Sequence, residues 1–149
     1  MTASDVVANR TLQVTRAMAA SPDEVFRAWT EPEPLKQWCA PEGYAALGVD
    51  LDLRVGGEYW IAMKHPDEAV VTVVGKFLAI EPGRRLLYTT AREGTEMDAG
   101  HTRVSAELHA RDGGTEVHVT HSGFDSDEVY DFHEWAWNSC LDLLAQLQV

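Results

Sequence analysis

With 149 residues, 45% hydrophobic and 24% charged, the chain is long enough for one domain with a sizeable core, and its balance excludes disorder over any long stretch. Its 24 Asp and Glu against 12 Lys and Arg leave a formal charge of −12, which argues against nucleic acid and anionic membranes as partners; the longest basic run is Arg84-Arg85. Only two cysteines occur, Cys39 and Cys140, with no signal peptide and no apolar run of about 18 residues, so reduced thiols, a cytoplasmic location and no membrane insertion are expected.

Met1 to Asn9 show no periodicity and are expected to form a flexible tail, leaving residues 10–149 as a single domain. Leu12 to Arg16 alternates with period two and reads as a strand. Ser21-Pro22-Asp23-Glu24 then supplies the N-cap, first-turn proline and capping-box acid of a helix that carries Val25, Phe26, Ala28 and Trp29 and ends near Thr30. Pro32 and Pro34 punctuate the chain before a short second helix holding Leu35 and Trp38. Strands are expected at Leu47 to Leu53, Glu58 to Lys64, Val70 to Ile80, Arg84 to Thr90, Thr102 to Arg111 and Thr115 to Ser122. Gly56-Gly57, Pro82-Gly83 and Gly113-Gly114 separate them as turns, and such short connections favour antiparallel pairing in a meander.

The last segment, Ser126 to Leu147, carries Val129, His133, Ala136, Cys140, Leu143 and Leu147 at helical spacings of three and four, with Phe132, Trp137 and Leu144 widening the apolar face. A helix of about 20 residues is about 30 Å long, a rod that a strongly curved sheet of about seven strands can wrap. The order predicts an α+β domain with an apolar cavity where helix and concave sheet do not quite meet. Strand alternation turns Val49, Leu51, Tyr59, Ile61, Met63, Val104, Leu108, Val117 and Val119 toward that cavity, opposite His133, Trp137 and Cys140.

Three blocks of sequence carry a resemblance. The first runs from Pro22 through Trp29-Thr30-Glu31-Pro32 to Leu35, Trp38 and Pro41. The second is Asp52-Leu53-Arg54-Val55-Gly56-Gly57-Glu58-Tyr59, and the third is Gly123-Phe124 followed by His133-Glu134-Trp135-Ala136-Trp137, Leu141 and Leu144. Together they resemble the family of the activator of the heat-shock protein 90 ATPase, within the superfamily of lipid-transfer, polyketide-cyclase and pollen-allergen domains. Cys39 stands where that family often has a second tryptophan, and Ala136 where it often has glycine. The resemblance implies a helix-grip fold. It implies less for activity, because function resides in sites grafted on a fold. Chaperone contact is not expected, since nothing the size of the eukaryotic activator's N-terminal chaperone-binding domain precedes Arg10.

His133 is the side chain with most chemical promise, an imidazole in the middle of an apolar arc. It reads as a core histidine held by a backbone carbonyl, as the polar handle of a ligand, or as an acid or base. His121 lies in phase with Val117 and Val119 and either joins His133 at the cavity or reaches solvent at the strand end. No metal is expected, because His118 and His121 are three apart on a strand and face opposite sides. Cys140 and His133 are about 10 Å apart along one helix, too far for a catalytic dyad. Trp60 and Trp135 fall out of phase with the inward sets and read either as partly buried under a neighbouring loop or as a contact surface, such as a homodimer or partner interface.

The reading these features support is a non-catalytic module for a small hydrophobic or amphipathic molecule, with no cofactor. The competing readings are a cyclase-like or hydrolytic enzyme using the cavity histidines, and a chaperone-regulating or protein-interaction module.

Overall fold

The computed structural model describes residues 11–93, 102–124 and 126–147. The expected N-terminal tail lies outside them. The elements are β1 (Thr11–Met18), α1 (Pro22–Thr30), α2 (Pro32–Lys36), β2 (Ala45–Leu51), β3 (Glu58–Lys64), β4 (Val70–Glu81), β5 (Arg85–Arg92), β6 (Thr102–Arg111), β7 (Gly114–Ser122) and α3 (Asp127–Ala145). The helix starts follow from local chemistry. Ser21 Oγ accepts from the Glu24 amide at 3.2 Å while the Glu24 carboxylate accepts from the Ser21 amide at 2.9 Å, and Ser126 caps α3 through the Val129 amide at 3.1 Å.

All seven strands form one antiparallel sheet in the order β1-β7-β6-β5-β4-β3-β2, so the first strand closes beside the last and the rest is the expected meander. Irregular register between Ala46 and Gly48 in β2, and between Phe77 and Ala79 in β4, marks where an extra residue bends the sheet. Gly75 of β4 permits a close approach: a Cβ there would collide with the Thr89 carbonyl of β5 and come within 2.7 Å of the Tyr59 ring.

Two expectations shift. β2 starts and ends two residues early, because Asp52 to Gly57 folds into a turn, with the Arg54 amide on the Asp52 carbonyl and the Gly57 amide on the Arg54 carbonyl, both at 2.8 Å. The second helix ends at Lys36, so Trp38 lies just beyond it, where its indole donates to the Ala28 carbonyl at 2.9 Å.

The closed core sits toward the β1 side. Leu12, Val14, Val117, Val119, Ala106 and Leu108 from the sheet join Val25, Phe26, Leu141 and Leu144 from the helices in one buried cluster. Arg16 on β1 pairs with Asp142 and donates to Asn138 Oδ1 at 2.7 Å, which ties the outer side of α3 to the sheet edge. Toward β2 to β5 the helix and sheet diverge.

Candidate functional site

Between the sheet and the first half of α3 lies a cavity of about 630 Å³. β2 to β7 supply one wall, among them Leu51, Tyr59, Ile61, Met63, Val73, Tyr88, Val104 and His121; α1, α2 and the following loop supply Trp29, Leu35, Trp38, Cys39 and Tyr44. α3 completes it with Val129, Phe132, His133, Ala136, Trp137 and Cys140. Of these lining residues, Arg92, Glu128 and Phe132 are exposed, which places the open side between the end of β5 and the start of α3.

The structure brings together most, but not all, of the residues that alternation turned inward. Leu51, Tyr59, Ile61, Met63, Val104, His121, His133, Trp137 and Cys140 line the cavity. Leu108, Val117 and Val119 do not: they lie in the closed core, where the second half of α3 seals against the sheet. Val49 faces the same side as Leu51 and packs against that core without reaching the cavity, while Asp50 and Asp52 face solvent. Alternation reports which face a residue is on and not how far the opposing helix stands from it.

His121 is 1% exposed and both of its ring nitrogens are engaged. Trp137 donates its indole N–H to Nδ1 at 2.9 Å. An indole nitrogen can only donate, so Nδ1 is the bare nitrogen and Nε2 carries the proton, which goes to Thr102 Oγ1 at 2.7 Å. Thr102 in turn donates to the Thr90 carbonyl at 3.1 Å. Burial, assisted by the neighbouring His133, pushes the His121 pKa down to about 3. A Thr102 nucleophile activated by His121 would need Nε2 bare and the Thr102 proton turned to it from the Thr90 carbonyl, and Trp137, which can only donate to Nδ1, blocks that tautomer change.

His133 stands against His121, with ring centroids 4.9 Å apart, and against Phe124 at 5.2 Å. Its Nδ1 lies 2.9 Å from the Val129 carbonyl one turn back, so the core-carbonyl reading holds for that nitrogen, while Nε2 has no partner among the described residues. Burial lowers its pKa, and the bond to Val129 opposes the shift only in part.

Residues outside the inward set complete the wall. Trp29 donates to the Tyr88 hydroxyl at 3.2 Å, and Tyr59 donates its hydroxyl proton to the Thr89 carbonyl at 2.8 Å. Burial raises the pKa of both tyrosines. Tyr88 was within reach of alternation, since it lies in phase with Leu86 and Thr90 in β5; Trp29 was legible only as a generic core residue of α1. Burial also raises the thiols, Cys39 to about 11 and Cys140 to about 12, so both are neutral small hydrophobes in this wall.

His118 faces away from His121, as expected, and bonds Glu116 at 2.6 Å on the outer surface. Among the described residues no group of three His, Cys, Asp or Glu side chains is placed to hold a metal, and no helix is long and apolar enough to cross a membrane. Trp60 and Trp135 are each 42% exposed. Trp60 lies over Gly48 of the bulged β2, and Trp135 packs beside Phe132 and Tyr44 at the open side of the cavity, with centroids 5.8 and 6.4 Å away.

The family model described as Activator of Hsp90 ATPase homolog 1-like protein matches residues 19–148. Among solved structures, protein CV1439 from Chromobacterium violaceum superposes with a TM-score of 0.80 at 24% identity, over 91% of this chain and 94% of that one. Protein Ms6760 from Mycobacterium smegmatis gives a TM-score of 0.81 at 18% identity, over 96% and 93% of the two chains. An AHSA1-like protein from Aeromonas hydrophila gives 0.75 at 21% identity, over 92% and 90%. These likenesses bear on the fold alone. No curated protein matches the chain.

Proposed function

Within the Activator of Hsp90 ATPase homolog 1-like family, to which this chain belongs, we propose that it acts as a non-catalytic binding module that encloses one small hydrophobic or amphipathic molecule between the sheet and α3. The observation that supports this reading is the cavity of about 630 Å³, a size typical of small-molecule sites, whose walls are mainly apolar and aromatic. Among the described residues no fully buried side-chain nitrogen or oxygen lacks a hydrogen-bond partner, which supports a preformed wall. The directed chain Trp137 to His121 to Thr102 to Thr90 supports a binding role over catalysis, because it holds the buried His121 neutral, occupies its one lone pair and leaves it no nucleophile to activate.

Native mass spectrometry of protein freshly purified from its source tests the proposal. One small-molecule adduct per chain, lost on denaturation, is the expected result; polypeptide mass alone at every collision energy counts against it. Esterase, thioesterase and cyclase panels should stay silent. Turnover that disappears in His133→Ala while the circular dichroism spectrum is unchanged would replace the binding reading with an enzymatic one.

A further inference from the structure

Two residues of the cavity wall have opposite hydrogen-bonding preferences. The Val129 carbonyl can only accept, so the His133 proton sits on Nδ1 and leaves Nε2 as a bare acceptor. The Trp29 indole can only donate, so it fills one acceptor position of the Tyr88 oxygen, and the Tyr88 proton has no acceptor among the described residues. Both residues line the cavity. The polarity of His133 cannot be swapped without breaking the bond that sets it, and the Tyr88 hydroxyl, with one acceptor position already filled by Trp29, is biased toward donating.

Three other polar groups of the wall, His121, Thr102 and Tyr59, are more fully committed within the protein. His121 spends both nitrogens on Trp137 and Thr102, and the hydroxyl protons of Thr102 and Tyr59 go to the Thr90 and Thr89 carbonyls. The charged side chains of the lining, Arg92 and Glu128, stand at the open side.

We propose that the cavity selects an uncharged, largely apolar molecule that offers a hydroxyl or N–H to His133 Nε2 and a carbonyl oxygen to the Tyr88 hydroxyl, a hydroxy-ketone being the simplest such class. This deepens the binding function proposed above and rests on it. A carboxylate placed at His133 would set its lone pairs against the bare nitrogen, and an ammonium placed in the wall interior would leave water for a region whose nearest lining carboxylate, Glu128, stands at the open side. A pure hydrocarbon would leave the Tyr88 proton and His133 Nε2 buried and dry, so it forfeits both bonds.

The test uses three probes on one ten-carbon chain: the terminal alcohol, the methyl ketone, and the methyl ketone with a hydroxyl at its far end. Each is titrated into the full chain, with the fluorescence of the cavity tryptophans Trp29, Trp38 and Trp137 as the signal. The bifunctional probe should bind wild type about two- to tenfold tighter than either monofunctional one. In Tyr88→Phe its advantage over the alcohol should vanish while its advantage over the ketone remains, and His133→Phe should do the reverse. A bifunctional probe no tighter than the better monofunctional one overturns the proposal in wild type alone, whatever becomes of the variants. If all three bind equally, the binding function stands and the donor–acceptor selection falls. If none binds, both fall together.

Discussion

Trp137 and His121 meet through one hydrogen bond, indole N–H to imidazole Nδ1 at 2.9 Å, and that bond decides which tautomer the buried histidine adopts. It joins α3 to β7 and fixes the direction of the chain beyond it, through Thr102 to the Thr90 carbonyl. Trp137→Phe keeps a ring at that position and removes the donor, which leaves Nδ1 buried without a partner. The expected loss is about 1–3 kcal/mol of unfolding free energy in urea at neutral pH. A loss under half a kcal/mol would mean that the bond does not organise the wall.

His121 also makes the fold acid-sensitive. Its folded pKa lies near 3, below the ordinary imidazole value of 6.5 that it regains on unfolding, so the unfolded state binds the proton first. The stabilisation is fully present above pH 6.5 and is lost as pH falls from there toward 3, at up to about 1.4 kcal/mol per pH unit. His133, lowered for the same reason, adds in the same direction. Urea midpoints measured between pH 7.5 and 5 should therefore fall less steeply in His121→Gln than in wild type, and parallel slopes would remove His121 as the cause.

Gly75 should tolerate no side chain. A methyl group there would overlap the Thr89 carbonyl that Tyr59 uses as its acceptor, so Gly75→Ala must separate β4 from β5 or displace the Tyr59 ring. A destabilisation of about 1–3 kcal/mol is expected, with altered near-ultraviolet circular dichroism from the tyrosines. An unchanged melting temperature would show that the two strands are farther apart than described.

Cys39 and Cys140 should react slowly. With thiol pKa values raised to about 11 and 12, very little thiolate exists at pH 8, and Cys140 is also buried. Labelling by an aromatic disulfide reagent should be slow in the folded protein and rapid in urea. Binding of a cavity ligand should slow Cys39 further, because both thiols line the same space. Equal rates in the folded and unfolded chain would contradict the burial.

The regular features were legible because they rest on short-range rules. The capping box at Ser21 and Glu24, the period-two runs of β3 and β6, and the three-and-four spacing along α3 each act within a few residues of chain, and the structure has them close to where the pattern placed them. The errors came at element ends, where a turn or a contact outside the periodic pattern intervened. The turn from Asp52 to Gly57 draws β2 back toward Ala45, and Trp38 leaves its helix to reach the Ala28 carbonyl.

The amino-acid sequence by itself determined the order of elements, the face each strand turns inward and the presence of two imidazoles on facing elements, since periodicity and capping need no tertiary information. Only the tertiary structure decided that Leu108, Val117 and Val119 are sealed in the core while Tyr88 and Trp29 line open space, because that depends on where α3 parts from the sheet. It also decided which nitrogen of each histidine carries the proton. A ring's tautomer is set by the donor or acceptor opposite it, and Trp137, 16 residues along the chain from His121, is brought there only by the fold.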